Sequence, residues 1–223
     1  MKSYKFKMKL APANFLCIII YIFLFVISFL LKIDFNFSSS NVLLVFGLIL
    51  IYFFIHELLH GVGYYLGGAK SCNIKYGIAL EKGILYTLCR QEISKFGILL
   101  SLQMPFTVIG VITYIVGAIF HLPLLVLLSI CNLGGAAMDM VMFIYILSIR
   151  NVRYTEADEC DEFVLITDED LTKRKNIFFE ITEVKKYNKN DFKFADMKKF
   201  NITKKSITMI ILFLLFGLIL SVV

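Results

Sequence analysis

Two histidines and a glutamate lie within five consecutive residues of one long apolar stretch. His56 and His60 are four residues apart, so on a helix both side chains face the same way and can direct a ring nitrogen at one metal ion. Glu57 lies beside that face and can reach a water on the metal without being a ligand. The H-E-x-x-H pattern at residues 56–60 therefore predicts zinc bound by two histidines, with a glutamate as general base.

The alternative is a chance pattern, in which the histidines are hydrogen-bonded in a core and Glu57 pairs with a basic residue. Ionisable groups inside a membrane segment together cost on the order of several kcal/mol, so they are retained mainly where they have a function. Two of the three histidines of the chain lie in this pentad. These facts favour a functional site over chance.

A catalytic zinc ion usually has three protein ligands, so a third is needed. Asp139 is the only carboxylate in the middle of another predicted membrane span. Asp139 lies nearly as many residues from Leu122, the outer end of its span, as His56 lies from Val42, the outer end of the second span. At 1.5 Å per residue both lie about 20 to 25 Å inward, so equal depth predicts Asp139 as the third ligand. His121 lies at an outer end and fails this test.

Small residues surround Asp139 and also follow the pentad. One face of the helix carries, over two turns, Asn132, Gly135, Ala136 and Asp139. Small residues let helices approach closely in a bilayer, and the glycines after the pentad do the same. Ordinary helix packing would also explain the small residues. Asp139 in their midst favours a metal held between the two helices.

The elements that position these residues are predicted from an unusually apolar composition. The chain has 223 residues, 59% of them hydrophobic, with 18% charged and a mean hydropathy of +0.80, which predicts a membrane protein. We expect an all-α polytopic membrane protein with about five transmembrane helices and a small cytosolic α/β or β insertion between helices 4 and 5. The predicted spans are residues 13–31, 42–66, 96–120, 122–149 and 207–223.

This pattern predicts a membrane domain at 1–149, with the metallopeptidase core at about 42–149. A polar cytosolic segment at 150–205 and a C-terminal transmembrane helix at 206–223 follow. The hairpin-like stretch 73–88 is equally well explained as a linker, and within the polar segment 163–167 and 176–184 are typical of short strands. The five cysteines form no C-x-x-C pair and receive no function.

The basic residues predict the orientation in a cell membrane. Lys2, Lys5, Lys7 and Lys9 precede the first span, which is too long for a cleaved signal peptide and indicates an uncleaved anchor. With a cytosolic N-terminus and five spans, only Lys32 lies outside, as the positive-inside rule requires. The C-terminus is then outside and the active site lies toward the cytosolic leaflet. The net charge of +6 is explained by topology, so no nucleic acid partner is expected.

At these residues the sequence resembles a family of bacterial integral-membrane domains known as putative zincin peptidases, itself distantly similar to the site-2 intramembrane proteases. The resemblance covers about residues 53–163. It rests on residues 56–61, on Tyr-Thr-Leu-Cys at 86–89 with Met-Pro at 104–105, and on residues 132–139. It implies one zinc ion held by His56, His60 and Asp139, with Glu57 as base. Asn132 would orient substrate or stabilise the oxyanion.

Two departures from the site-2 pattern limit what carries over. Met140 follows Asp139 where those proteases have glycine, and Asn132 and Asp139 are seven residues apart instead of eight. A PDZ-like regulatory domain is not visible in the sequence. The metal site therefore carries over, whereas substrate and regulation do not.

The predicted function is an integral-membrane zinc metalloendopeptidase that hydrolyses peptide bonds near the cytosolic membrane face. Its expected partners are a peptide or membrane-protein substrate and the lipid bilayer. One alternative is a catalytically inactive metal-binding pseudopeptidase that binds a partner. Another is a metal-ion transporter, which should show polar residues continuing to the outer face. The outer halves 42–55 and 122–131 have almost none, which disfavours transport.

Overall fold

The computed structural model describes residues 1–37, 42–79, 84–157, 162–174 and 176–184. The predicted span 207–223 and Cys160 lie outside these ranges. The described elements, in chain order, are β1 (Lys2–Met8), α1 (Leu10–Leu30), α2 (Val42–Leu66), β2 (Ile74–Ala79), β3 (Ile84–Cys89), β4 (Ile93–Ser94), α3 (Lys95–Pro105), a π-helical turn (Phe106–Ile112), α4 (Thr113–Ile119), α5 (Pro123–Gly135), α6 (Ala137–Leu147), β5 (Val152–Glu156), β6 (Glu162–Thr167) and β7 (Phe179–Val184).

Three helical stretches are long and apolar enough to cross a membrane. They are Leu10–Leu30, Val42–Leu66 and Lys95–Ile119, the last formed by α3, the π-turn and α4 together. A fourth span is present only if α5 and α6 are counted as one bent element. The described residues thus hold three or four spans, where four of the five were predicted.

The predicted helix 122–149 is broken in its middle, contrary to expectation. The chain bends by 50° between α5 and α6, where Ala136 leaves helical geometry with ψ near 6°. Gly134 and Gly135 immediately precede the bend, and glycine weakens a helix because its backbone loses the most freedom on folding. The ring of Tyr21 from α1 packs where a side chain on Gly134 would lie. The bend makes Asp139 part of the first turn of a new helix.

The predicted all-α class is wrong, because two antiparallel sheets accompany the helices. One sheet has five strands in the order β4-β5-β6-β1-β7, and the other is the pair β2-β3. The strands come from three separate parts of the chain, before α1, between α2 and α3, and after α6, so they are not confined to an insertion between helices 4 and 5. The fold is therefore mixed α/β.

The N-terminal residues contribute a strand to the interior of the larger sheet. Tyr4 and Phe6 are fully buried, while Lys5 and Lys7 alternate with them on the other face. β1 pairs with β6 on one side and β7 on the other. The charge of this segment predicts a basic flank of the first span, but its period of two is typical of a half-buried strand.

The larger sheet shares one hydrophobic core with the ends of the helices. The ring of Phe6 stacks on Phe163 at 4.9 Å and meets Tyr145 of α6 edge-on at 5.4 Å. Ile98 of α3 and Ile146 of α6 are fully buried in the same cluster. The sheet is thus packed against the helical bundle as part of the same body.

Candidate metal centre

Three side chains from two distant helices meet at the predicted metal site. Nε2 of His60 lies 3.0 Å from Nε2 of His56. Oδ2 of Asp139 lies 3.2 Å from His56 Nε2 and 3.5 Å from His60 Nε2. Both histidines are about nine-tenths buried. The structure therefore brings together the two histidines of the pentad and the carboxylate selected by depth.

His60 is oriented by a backbone carbonyl that a proline leaves free. Nδ1 of His60 lies 3.0 Å from the carbonyl oxygen of Ser101 on α3. In a helix that oxygen would accept the N–H of the residue four positions on, which is Pro105 and has none. A carbonyl only accepts, so a neutral His60 carries its proton on Nδ1 and presents a lone pair at Nε2. The hydroxyl of Ser101 returns a hydrogen bond of 3.0 Å to the carbonyl of His60.

His56 is oriented in the same way by Asn132. The amide nitrogen of Asn132 donates to the carbonyl oxygen of Pro105 at 3.1 Å, which fixes the direction of the amide. Its oxygen then faces Nδ1 of His56 at 2.8 Å and accepts from it. Nε2 of His56 therefore also presents a lone pair. Both ends of the buried Asn132 amide are engaged within the protein.

The donor set fits a zinc ion. Two imidazole lone pairs and a carboxylate oxygen converge, an arrangement of mutually repelling acceptors that a cation between them would stabilise. Bonds of about 2.0 to 2.2 Å at tetrahedral angles would separate ligand atoms by about 3.3 to 3.6 Å. The observed separations of 3.0, 3.2 and 3.5 Å require shifts of only a few tenths of an ångström. His56, His60 and Asp139 are the residues that would hold the ion.

The break between α5 and α6 favours a charged Asp139. The aspartate is the acidic residue in the first turn of α6, where the unpaired N–H groups of a helix attract negative charge. Glu57 also lies close to the histidines: one carboxylate oxygen of Glu57 and one ring nitrogen each of His56 and His60 all lie within 4.8 Å of one another. Asp139 is closer to both rings, so it is the better third ligand and Glu57 remains available for other chemistry.

A model of the family described as putative zincin peptidase matches residues 48–153, a little under half of the chain. This segment is thus similar to that family. It contains the pentad, the π-turn, Asn132 and Asp139 in one match. Comparison with curated proteins and with solved structures gave no significant match. The family supports a metallopeptidase that uses zinc.

The glutamate of this zincin pentad is held by a strand of the smaller sheet. The hydroxyl of Thr87 on β3 lies 2.9 Å from Oε2 of Glu57 and 2.7 Å from the backbone oxygen of the same residue. Its single proton can serve either acceptor. The aromatic ring of Tyr76 on β2 packs where a side chain on Gly61 would lie. Gly61 thus lets the β2-β3 pair approach the pentad and bring Thr87 to Glu57.

A cavity of about 160 Å³ opens beside the zincin centre. Glu57, His60 and Asp139 form one part of its wall, and four consecutive β3 residues, 85–88, form another. The larger sheet contributes Tyr154, Glu156 and Glu162 to the polar wall. Both glutamates are more than nine-tenths buried. The sheet that sequence reasoning missed thus lines the approach to the metal centre.

Several residues around the zincin centre had no role assigned from sequence. Thr87 and Pro105 lie in the segments on which the family resemblance rests. Because Pro105 lies inside an apolar helix, the sequence could have indicated a special role for it. Tyr64 follows His60 by one helical turn, so the helical repeat alone places both side chains on the same face. Ser101 acts through its backbone, for which a sequence has no signal. His121 lies in the turn between α4 and α5, as expected of a loop residue.

Proposed function

We propose that the protein is an integral-membrane zinc metallopeptidase that hydrolyses peptide bonds near the cytosolic face of the membrane. The observation that carries the proposal is the convergence of two imidazole lone pairs and the Asp139 carboxylate within 3.5 Å, with Glu57 alongside. The family match supports the same class of enzyme. Asp139 is proposed as the third ligand and Glu57 as the general base.

Zinc, when bound, supplies a Lewis acid that polarises the scissile carbonyl and lowers the pKa of a water to about 7. Glu57 takes one proton from the attacking water and delivers it to the leaving amine, so that water and peptide become a carboxylate and an amine. Thr87 holds the Glu57 carboxylate in place. Asn132 and the Ser101 carbonyl keep both imidazoles in the tautomer that presents Nε2. We assign Asn132 this positioning role.

The arrangement of the strands supports a cytosolic site. β1 precedes α1, the strands β2 to β4 follow α2, and β5 follows α6. With successive helices crossing in alternate directions, all of these strands lie at one end of the bundle. At the opposite end, segments 31–41 and 120–122 carry Lys32 as their only lysine or arginine. The positive-inside rule then assigns the strands and the cavity to the cytosol.

The substrate is proposed to bind as an extended peptide along β3. Within the described residues β3 pairs with β2 alone, and residues 85–88 border the cavity in succession. A free strand edge offers N–H and C=O groups to an added strand. Such an added strand would pass the Glu57 carboxylate.

The test combines metal analysis with cleavage of a peptide mixture by the full chain in detergent and in liposomes. Purified protein should contain one zinc ion per chain. Glu57→Gln should keep its zinc and lose at least about 100-fold in cleavage rate, as expected for a general base. Asp139→Ala should lose both zinc and cleavage.

The outcomes separate the candidate functions. Full cleavage by Glu57→Gln would contradict the proposed mechanism. Zinc retained at full occupancy in Asp139→Ala would remove Asp139 from the ligand set. A zinc-loaded protein that cleaves nothing in any mixture would instead favour a pseudopeptidase that binds a partner.

A further inference from the structure

Glu156 lies in the wall of the metal cavity and is not used by the proposed mechanism. It ends β5, and only 5% of its surface is exposed. The same cavity is lined by Glu57, His60 and Asp139. A group that enters this cavity therefore meets the metal centre and Glu156 together.

Glu156 is held in a fixed direction by neutral donors. The hydroxyl of Tyr64 donates to its Oε1 at 3.1 Å, and Tyr64 is one helical turn beyond His60. Tyr154 and the backbone at Cys89 also hydrogen-bond to the carboxyl group. Burial raises the pKa of Tyr154 well above 10, so this phenol stays protonated and remains a donor. These bonds orient the carboxylate but leave its charge uncompensated.

The second glutamate of the cavity provides a contrast. Glu162 forms ion pairs with Lys5 at 2.5 Å and Lys7 at 3.5 Å. In the described part of the chain, no lysine or arginine nitrogen lies within 4.0 Å of Glu156. Among the described residues, the cavity thus holds one carboxylate that is paired with lysines and one that is not.

A buried carboxylate without a cation is costly, and a cation that reaches it recovers part of that cost. Burial raises the pKa of Glu156 to about 7, in keeping with this environment. At about 30 Å³ per water molecule, the cavity of about 160 Å³ has room for on the order of five waters or one extended side chain. Its size and charge therefore suit a long side chain that ends in a cation.

We propose that Glu156 forms a cation-selecting subsite of the metal cavity, which takes the lysine or arginine side chain of a peptide substrate. This inference rests on the proposed peptidase function and names its substrate class. Tyr64 links the subsite to the metal helix, because its hydroxyl holds Glu156 one turn from His60. Glu156 is accordingly a specificity-determining residue.

The experiment uses matched peptides that carry either lysine or norleucine, which differ by the ammonium group at one position. The position is moved stepwise along the peptide. Wild-type protein should prefer lysine at one position by at least tenfold in kcat/KM. Glu156→Gln should reduce that ratio to about one. Glu183→Gln removes the same charge from an exposed site on β7 and should keep the ratio.

A binding measurement with the Glu57→Gln protein makes the result independent of catalysis. The lysine peptide should bind at least tenfold more tightly than the norleucine peptide, and Glu156→Gln in the same background should abolish the difference. Equal binding and equal cleavage of both peptides would overturn the subsite. Selective binding by the Glu57→Gln protein together with no cleavage of either peptide by the wild type would instead overturn the peptidase function and leave the subsite standing.

Discussion

Nδ1 of His56 and the side-chain oxygen of Asn132 lie 2.8 Å apart, although 76 residues separate them in the chain. This bond joins α2 to α5 and fixes which nitrogen of His56 faces the metal position. The same amide reaches the carbonyl of Pro105 on α3. One side chain thus ties together three helices at the centre.

Replacing Asn132 by alanine should weaken zinc binding about 10- to 100-fold, because the imidazole loses the partner that orients it. Competition with a chromophoric chelator measures the affinity. Ser129→Ala is the control, since this buried hydroxyl on the same helix bonds to Thr113 and the Leu125 carbonyl. Equal zinc affinity in the two variants would show that Asn132 has only a packing role.

Pro105→Ala should weaken zinc binding while leaving thermal stability equal or higher. The new N–H would compete with His60 for the Ser101 carbonyl, and alanine is a far better helix former than proline. A loss of zinc affinity without a loss of thermal stability would therefore support this role of the free carbonyl. Pro123→Ala, at the first turn of α5 where proline is tolerated, should leave zinc affinity unaltered. A Pro105 variant that binds zinc normally would contradict the role given to the free carbonyl.

Thr87→Val should lower kcat about tenfold or more without removing zinc, because Glu57 loses its hydroxyl partner while the shape of the side chain is kept. Thr87→Ser restores the hydroxyl and should recover most of the activity. Peptide cleavage and metal content are measured on the same samples. If valine and serine behave alike, the hydroxyl does not position Glu57.

Gly63→Ala should destabilise the protein by about 1 to 3 kcal/mol, as expected for overpacking. A β-carbon on Gly63 would meet the backbone of Ser101 and lie 2.9 Å from the Leu100 carbonyl. Gly47→Ala on the same helix is a matched control, because its β-carbon would meet nothing within 4 Å. Thermal unfolding in one detergent compares the two, and similar melting temperatures would contradict the close approach of α2 and α3.

Glu156 should make stability depend on pH. Burial raises its pKa from 4.5 to about 7, so the folded state holds the proton more tightly than the unfolded state. Its contribution is therefore fully present below about pH 4.5 and is lost as pH rises through about 7. Other ionisable groups lie in the same cavity or beside it. They are His60 and Tyr64 on α2, Cys89 on β3, Tyr154 on β5, Glu162 on β6, Lys5 and Lys7 on β1, and the cavity carboxylates Glu57 and Asp139.

Comparison with Glu156→Gln isolates this one contribution. Between pH 5 and pH 8 the free energy of unfolding of the wild type should fall relative to that of the variant, which cannot titrate at this position. Thermal unfolding at a series of pH values measures the difference. A constant difference across that range would show that the carboxyl group keeps an ordinary pKa.

The amino-acid sequence by itself determined the chemistry of the centre and the hydrophobic spans that carry it. The helical repeat places His56 and His60, four residues apart, on one face. Few carboxylates occur inside apolar helices because burying their charge is costly, and this identified Asp139 as the candidate third ligand. Both arguments depend on local geometry or on the cost of burying charge, so they need no knowledge of distant contacts.

The tertiary structure decided what surrounds that chemistry. The bend at Ala136, the N-terminal strand and the five-stranded sheet depend on pairing between segments far apart in the chain, which local patterns only weakly indicate. The charge of Lys5 and Lys7 predicts a membrane flank, whereas the alternation of these lysines with Tyr4 and Phe6 reflects the strand that long-range pairing forms. Only long-range packing brings Asn132, Pro105 and Thr87 to the pentad, and Glu156 to the cavity beside it.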